Sequence, residues 1–566
     1  MNWKRLLLPV ALAALAIAAW WLLRPVHADV LFINGNIRLS ADAGSHAEAL
    51  AVEQGVIVGT GTTNDIRNNF SADKVIDLEG KYVFPGFVDA HAHLEGLGIA
   101  LMTVDLAGTN SVQEIQSRVA DDVVHSIGRS WVRGRGWDQN RWPSKAFPDR
   151  SMLDAVSSTV PIFLVRIDGH AVWVNSRVID LAGITRSTPD PPGGKILRDA
   201  RGEPTGVFVD NAMDTIRALL PPPSLEERTR AVTTAIAACA RVGLVGVHDM
   251  GVDEDLIAIY RSLITGGNFP FRVYAAIDGA GKTWAQHRVA GPETDFGNGR
   301  LSVRALKLYA DGALGSRGAA LIAPYSDDPG NRGLTVTSSD AMCTAVQQAV
   351  EAGFQVCTHA IGDRANAMTL DAYEDAMKAS GKRGSDLRLR IEHAQVLDPA
   401  DIPRFARLGV IPSMQPAHCT SDMPWAEERL GPVRCRTAYA WRSLLKTGVI
   451  IPAGSDFPVE APTPLWGFYA AIARQDRNGQ PDSGWHPEQC MTREEALRAF
   501  TLWPAVASFH EAQTGTLTQG KWADFVVLSE DIMHVSPAEI LRTEILMTVV
   551  AGEIVFQHWE AQPRQQ

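Results

Sequence analysis

The chain has 566 residues, of which 46% are hydrophobic and 21% charged, the balance of a folded globular protein and not of a disordered one. That length exceeds one ordinary domain and suits a large barrel enzyme with an added module. The formal net charge of −11 offers no basic surface, so no nucleic-acid partner is expected.

The first informative segment is the N-terminus. Lys4 and Arg5 precede a nearly unbroken apolar run from Leu6 to Leu23. A positive start before an apolar core reads as a secretory signal, and Val26-His27-Ala28 offers a cut before Asp29. The run is also about long enough to span a bilayer, so membrane anchoring through an uncleaved segment is the open alternative, with Lys4 and Arg5 on the cytoplasmic side. Either way residues 1–28 are a signal peptide or membrane anchor. The body is then expected outside the cytoplasm, periplasmic, secreted, or held on the outer face of the cytoplasmic membrane.

Residues 29–84 alternate short apolar segments with turns. Strands are expected at 29–33, 48–52, 56–60, 75–78 and 82–84, with Asn34-Gly35-Asn36 and Gln54-Gly55 as turns. The pattern resumes over 513–558, with strands at 523–528, 545–550 and 554–556, before a tail at 559–566. Two β-rich ends around a long middle predict one small β-sandwich built from both chain ends.

The middle alternates strands and helices, the pattern of a parallel α/β architecture. Eight strands are expected there, at 86–90, 243–249, 271–277, 303–309, 354–358, 389–392, 409–414 and 449–453; eight parallel strands close a TIM barrel. Helices fall between many of them, at 341–352 and 364–378 for example, and Thr492 with Glu495 forms a capping box for a helix over 493–500. The barrel thus takes its first strand from 85–106 and the rest from 236–512. The gap between the first two strands is too long for one helix, so 107–235 is read as an insertion, with strands at 131–136 and 162–167. A Pro/Gly loop at 189–194 and the linker Pro221-Pro222-Pro223 belong to it. The six cysteines (Cys239, Cys343, Cys357, Cys419, Cys435, Cys490) form no CxxC pair. Buried free thiols are expected, with a single Cys419–Cys435 disulfide as the alternative.

The chemistry sits at the strand ends. The first barrel strand closes on Asp89-Ala90-His91-Ala92-His93, and side chains at i and i+2 of an extended chain share a face, so two imidazoles can meet one metal ion. His359, His393 and Asp456 follow the strands at 354–358, 389–392 and 449–453, and Lys307 lies near the end of the strand at 303–309. In a barrel these ends converge on one mouth. Imidazole and carboxylate suit zinc and similar divalent ions.

Several motifs extend this set. They are Pro85-Gly86-Phe87-Val88-Asp89-Ala90-His91-Ala92-His93, Gly136-Trp137-Asp138, the segment from Gly169-His170 to Asn175, the segment from Lys307 to Ser316, Thr358-His359 to Asp363, Ile391-Glu392-His393-Ala394-Gln395, and Gly454-Ser455-Asp456-Phe457-Pro458. With them the chain resembles the amidohydrolase superfamily, and within it the YtcJ-like, amidohydrolase-3 branch, from Asp29 to about Phe556. The resemblance implies a distorted (β/α)8 TIM barrel with a small β-sandwich, in accord with the strand count. It also implies metal ligands at His91, His93, His359, His393 and Asp456. Lys307 takes the place where related enzymes carry a carboxylated lysine bridging two metals. One or two divalent ions, zinc first, are therefore expected; an ion pair of Lys307 with Asp311 or another carboxylate is the alternative.

The reaction implied is hydrolysis of a carbon–nitrogen bond other than a peptide bond, in a small amide, N-acyl or N-formyl compound. Asp456 would take a proton from the metal-activated water and pass it to the leaving amine. His170 is the first candidate to steady the oxyanion, with His418 and Arg317 behind it. Trp137 and Asp138 would line the substrate mouth, with Trp137 as a core residue the alternative. Deamination or isomerisation on the same scaffold, and metal or ligand binding without turnover, are the competing readings. Glu392 precedes His393 and points the other way on a strand, so it offers no obvious acid for a deaminase. A small-molecule substrate is the expected partner, with a homodimer left open.

Overall fold

The computed structural model describes residues 25–125, 131–279 and 281–559. The apolar run expected as signal or anchor lies outside the described residues, and among these no helix is long and apolar enough to cross a membrane.

Seven parallel strands form the wall of the barrel: β1 (Phe87–Ala92), β2 (Leu244–Val252), β3 (Arg272–Asp278), β4 (Leu301–Tyr309), β5 (Gln355–Ala360), β6 (Arg390–His393) and β7 (Ile411–Ser413). Each pairs with its neighbours in chain order. Their residues are buried on nearly every position, as a parallel sheet covered on both faces requires. The eighth strand expected at 449–453 is not regular. Pro452 brings no N–H, and only a bridge between Met414 and Ala453 remains on this side. Closure is still made by backbone: Met414 N–H donates to Pro452 O at 3.0 Å, Ala90 N–H to Ala453 O at 3.0 Å and Asp456 N–H to His91 O at 2.8 Å.

Between β1 and β2 the chain builds a second sheet of six strands, Val104–Asp105, Val132–Trp137, Ile162–Arg166, Ala171–Val174, Gly194–Arg198 and Pro204–Asp210. Its core is aromatic, with Trp137, Trp142 and Trp173 in mutual contact at centroid distances of 6.1 to 6.4 Å. The helix Leu225–Arg241 opens on a capping box, Ser224 with Glu227, and runs through residue 235. It belongs to the barrel wall, packing on the helix Leu94–Leu101. A Cβ on Gly98 would fall 1.9 Å from the Ala231 carbonyl oxygen, so this crossing needs a residue without a side chain.

Two further sheets make the sandwich. One is formed by Val26–Ile33, Ala49–Glu53, Val56–Gly61 and Phe70–Asp77; the other joins Asn36–Arg38, His46–Ala47 and Tyr82–Pro85 to Phe525–Leu528, Ile545–Val550 and Glu553–Gln557. Phe32 and Phe525, from opposite ends of the chain, meet edge to face at 4.8 Å in its core. The first strand starts at Val26, three residues before the expected cut, and pairs in parallel with Phe70–Asp77. The sandwich is fastened to the barrel at the start of β3. There the Arg272 fork donates to both Asp524 carboxylate oxygens, at 2.5 and 2.9 Å, while its guanidinium stacks 3.8 Å from the Trp522 ring. All six cysteines are free thiols.

Candidate metal centre

The C-terminal ends of the barrel strands bring the expected residues together. Donor atoms of His91, His393 and Asp456 lie within 4.8 Å of one another, and all three residues are buried. His93 reaches the same carboxylate, its Nε2 3.1 Å from Asp456 Oδ1, and His91 Nε2 stands 3.6 Å from that oxygen. The His359 ring lies 4.5 Å from the His393 ring, and Lys307 Nζ is 3.2 Å from His91 Nε2. His418 stacks on His393 at 6.0 Å with Nε2 3.9 Å from Asp456 Oδ2. His170 arrives from the inserted sheet, 5.2 Å from the His359 ring.

Local backbone explains how neighbouring residues converge. Along β6, Arg390 and Glu392 share the barrel interior by the strand's alternation. His393 would then point away, but its φ of 73° is left-handed and turns the imidazole to the mouth. Asp456 has a similar φ of 56°. Gly454 lets this last loop close on β1, since a Cβ there would meet His91 N at 2.5 Å. Asp89, in β1, ties this loop to the strand, accepting from Ser455 Oγ at 2.6 Å and from His91 N–H at 3.1 Å.

Partners of the outer ring nitrogens fix the tautomers. Glu392 can only accept, so His91 Nδ1 donates to it at 2.7 Å, leaving the lone pair on Nε2. The Gln415 amide oxygen does the same for His393 Nδ1 at 2.7 Å, and Asp210 for His170 Nδ1 at 2.7 Å. Burial first, then the Lys307 charge at His91 and the His359 and His91 imidazoles at His393, pushes both well below the usual histidine range, so both are neutral, as ligands must be. Burial opposes charge on His170 too, but the Asp210 hydrogen bond and charge win and raise it. His359 Nε2 and His418 Nε2 are buried with no hydrogen-bond partner, and Asp456 Oδ1, also buried, meets only the ring nitrogens of His93 and His91. A converging set of neutral imidazoles and a carboxylate, with orphaned lone pairs, fits a divalent cation.

Not every expected residue serves as expected. Trp137 is wholly buried among Trp142, Trp173 and Phe147 and donates its Nε1–H to Leu164 O at 2.8 Å. It is core of the inserted sheet and does not line a mouth. Arg317 is spent on Asp327, at 2.9 Å, in the loop after β4, where Asp327 also bonds Arg429. Asp138 is held by Arg166 at 2.5 Å. Asp311 does not pair with Lys307; it accepts the backbone N–H groups of Ala320, Ile361 and Gly362 at 2.8 to 3.0 Å. The residues that sequence reasoning missed are Glu392, Gln415 and Asp210. A carboxylate beside a metal-strand histidine is a usable signal once the strand is known to end in a left-handed residue; for Gln415 and Asp210 the chain carries none.

Comparison with known proteins agrees with this geometry. Residues 74–556 match the family model described as the Amidohydrolase family, Amidohydro_3. The chain is 36% identical to the YtcJ protein of Bacillus subtilis over 533 residues, covering 93% of this chain and 98% of that one. It is 29% identical to the N-substituted formamide deformylase of Arthrobacter pascens over 552 residues, 94% of this chain and 98% of that one. Among solved structures, an uncharacterized metal-dependent hydrolase from Pyrococcus horikoshii superposes with a TM-score of 0.73 at 27% identity, over 90% of this chain and 99% of that one. Barrel, donor set and kinship agree, and the chain belongs to the Amidohydrolase family as a metal-dependent hydrolase.

Proposed function

We propose that the protein hydrolyses a carbon–nitrogen bond other than a peptide bond, in a small amide such as an N-acyl or N-formyl compound. The observation that carries this reading is Asp456, a buried carboxylate whose Oδ1 faces His93 Nε2 at 3.1 Å and His91 Nε2 at 3.6 Å, among imidazoles placed to hold a metal. Simple metal storage has no need of a proton acceptor there. The likeness to an N-substituted formamide deformylase supports the amide class. His91, His93, His359, His393 and Asp456 would hold the ion, zinc first by ligand type. When bound, it supplies Lewis-acid charge that acidifies water and polarises a carbonyl.

The remaining work falls to side chains. Asp456 accepts the proton of the attacking water on its carboxylate and returns it to the leaving nitrogen. His170, with Nδ1–H committed to Asp210, presents Nε2 beside His359. Its raised affinity for a proton suits it to donate toward the developing oxyanion. Lys307 is buried, and burial lowers its affinity for a proton, which favours the free amine that reacts with carbon dioxide. As an ammonium it competes for the His91 lone pair at 3.2 Å; as a carbamate it would offer oxygen ligands to a second ion. Glu392 is committed to Arg390 and His91, so it is not free to act as a deaminase's acid. We also propose that the body lies outside the cytoplasm. Because Val26–Ala28 pair with Phe70–Ala72, a cut before Asp29 would shorten a strand, which favours a retained anchor. Chelation followed by zinc return, against a panel of N-formyl and N-acyl amines, tests the activity: turnover should vanish and come back. Metal uptake with no turnover across the panel would refute it.

A further inference from the structure

Two arginines of the inserted sheet stand near the centre, and only one is neutralised. Arg166 is buried and takes both nearby carboxylates, Asp138 and Asp168, each at 2.5 Å, and Gln139 at 2.8 Å. Arg135, on the strand Val132–Trp137, makes one hydrogen bond among the described residues, from Nη2 to the Ile167 carbonyl at 2.9 Å. Its Nε is buried with no partner, and no described carboxylate forms an ion pair with it. The guanidinium lies against Gly169, where a Cβ would stand 3.6 Å from both Nη1 and Nη2. Gly169 precedes His170, so this cation borders the His170–His359 edge of the centre. The carboxylate that acts most strongly on it is Asp456, with Asp168 second and the Arg217 cation opposing. Burial lowers its pKa only to about 10, so it is charged at neutral pH. A partly desolvated fork without a counter-ion is costly to keep, and it matches a carboxylate in two-point geometry.

We propose that Arg135 anchors a carboxylate of the substrate, so that the amide cleaved at this centre is an anionic one. This rests on the amide-hydrolysis reading above and narrows its substrate class. Arg135 also gives the inserted sheet a reason to reach the mouth: one rigid frame carries the anion anchor on the strand Val132–Trp137 and His170 on the turn before Ala171–Val174.

The test uses isosteric pairs with the metal-loaded full chain. N-acetylglycine is paired with N-isobutylacetamide, putting the carboxylate on the amine side; N-methylsuccinamate is paired with N-methylisocaproamide, putting it on the acyl side. In at least one pair the anion should be preferred in kcat/KM by roughly tenfold or more, the scale of a charge-assisted hydrogen bond. Arg135→Met should bring that ratio close to one, and Arg135→Lys should retain part of it. If Arg135 merely pins the Ile167 carbonyl, both members of a pair fall together and the ratio survives; that result overturns the proposal, as does a wild-type ratio near one in both pairs. Calorimetric titration of the same compounds separates this from the reading beneath it. An anion preference in binding, lost in Arg135→Met, with no hydrolysis of any member upholds the anchor and removes the amidase. Hydrolysis of neutral and charged members alike removes the anchor and keeps the amidase.

Discussion

Replacing Glu392 by glutamine asks how much of the centre is held from behind. Glu392 is wholly buried. It accepts from His91 Nδ1 at 2.7 Å and from Arg390 Nη2 at 3.0 Å, and its Oε1 lies 2.7 Å from Arg390 Nε in a charge contact poorly aligned for a hydrogen bond. A glutamine has the same shape but one acceptor face and one donor face, while both neighbours are donors. One oxygen, Oε2, serves both His91 and Arg390 Nη2; if the amide oxygen takes its place, the NH2 faces Arg390 Nε, and a buried guanidinium loses its carboxylate charge. Breaking a buried pair in this way costs about 3–5 kcal/mol. If the NH2 takes the place of Oε2, it meets Arg390 Nη2 and also His91 Nδ1, which must then accept, and the ring proton moves to Nε2, the atom a metal needs. Loss of such an outer partner weakens metal binding by about 10–100-fold, or roughly 1.4–2.7 kcal/mol. Competition against a graded chelator reads the affinity, and thermal unfolding of the metal-free protein reads the stability. The variant should lose at least one of the two. A Glu392→Gln protein with wild-type affinity and wild-type melting would refute the orienting role.

Three further outcomes follow from the same geometry. Asp456→Asn should fold and lose turnover by about 10²–10⁴, the range of general-base effects; wild-type rates would remove Asp456 from the proton path. Asp524→Asn should destabilise the chain by about 3–5 kcal/mol in denaturant, because it strips Arg272 of its buried carboxylate; an unchanged midpoint would mean that this ion pair does not fasten the sandwich. Asp422 supplies a pH dependence. Burial pushes its carboxyl up to about 8, against the lowering effect of the Tyr439 hydroxyl that donates to it. Between about pH 4 and 8 the folded chain therefore holds a proton that the unfolded chain has released, and stability falls as pH rises through that window, by at most ~1.4 kcal/mol per pH unit. Asp422→Asn should flatten the fall of Tm from pH 5 to pH 8, and an unaltered slope would assign the dependence to other buried acids.

Much of the centre could be read from the chain because parallel strands put their last residues at one rim. His91, His93, His359 and Asp456 needed no more than strand ends to be found. The rest depended on geometry that a pattern does not carry. Glu392 looked excluded by alternation, and it was the left-handed backbone of His393 that let consecutive residues serve one site. Trp137 shares a motif with Asp138, yet a large aromatic can fill a core as readily as a mouth, and burial alone decides. The irregular closing strand was foreshadowed by Pro452. The start of the helix Leu225–Arg241 was foreshadowed by Ser224 and Glu227, a cap whose partner spacing is as plain as that of Thr492 and Glu495.

The sheet shared by both ends of the chain also has a temporal consequence. The strand Tyr82–Pro85 pairs with Phe525–Leu528, which the ribosome delivers about 440 residues later. At roughly 5–20 residues per second that delay is on the order of half a minute. Throughout it one edge of Tyr82–Pro85 waits with its amides unsatisfied, a template for any passing extended segment. Truncating the chain ahead of Phe525 should leave that edge without its partner for good, and the shortened product should aggregate more than the full chain.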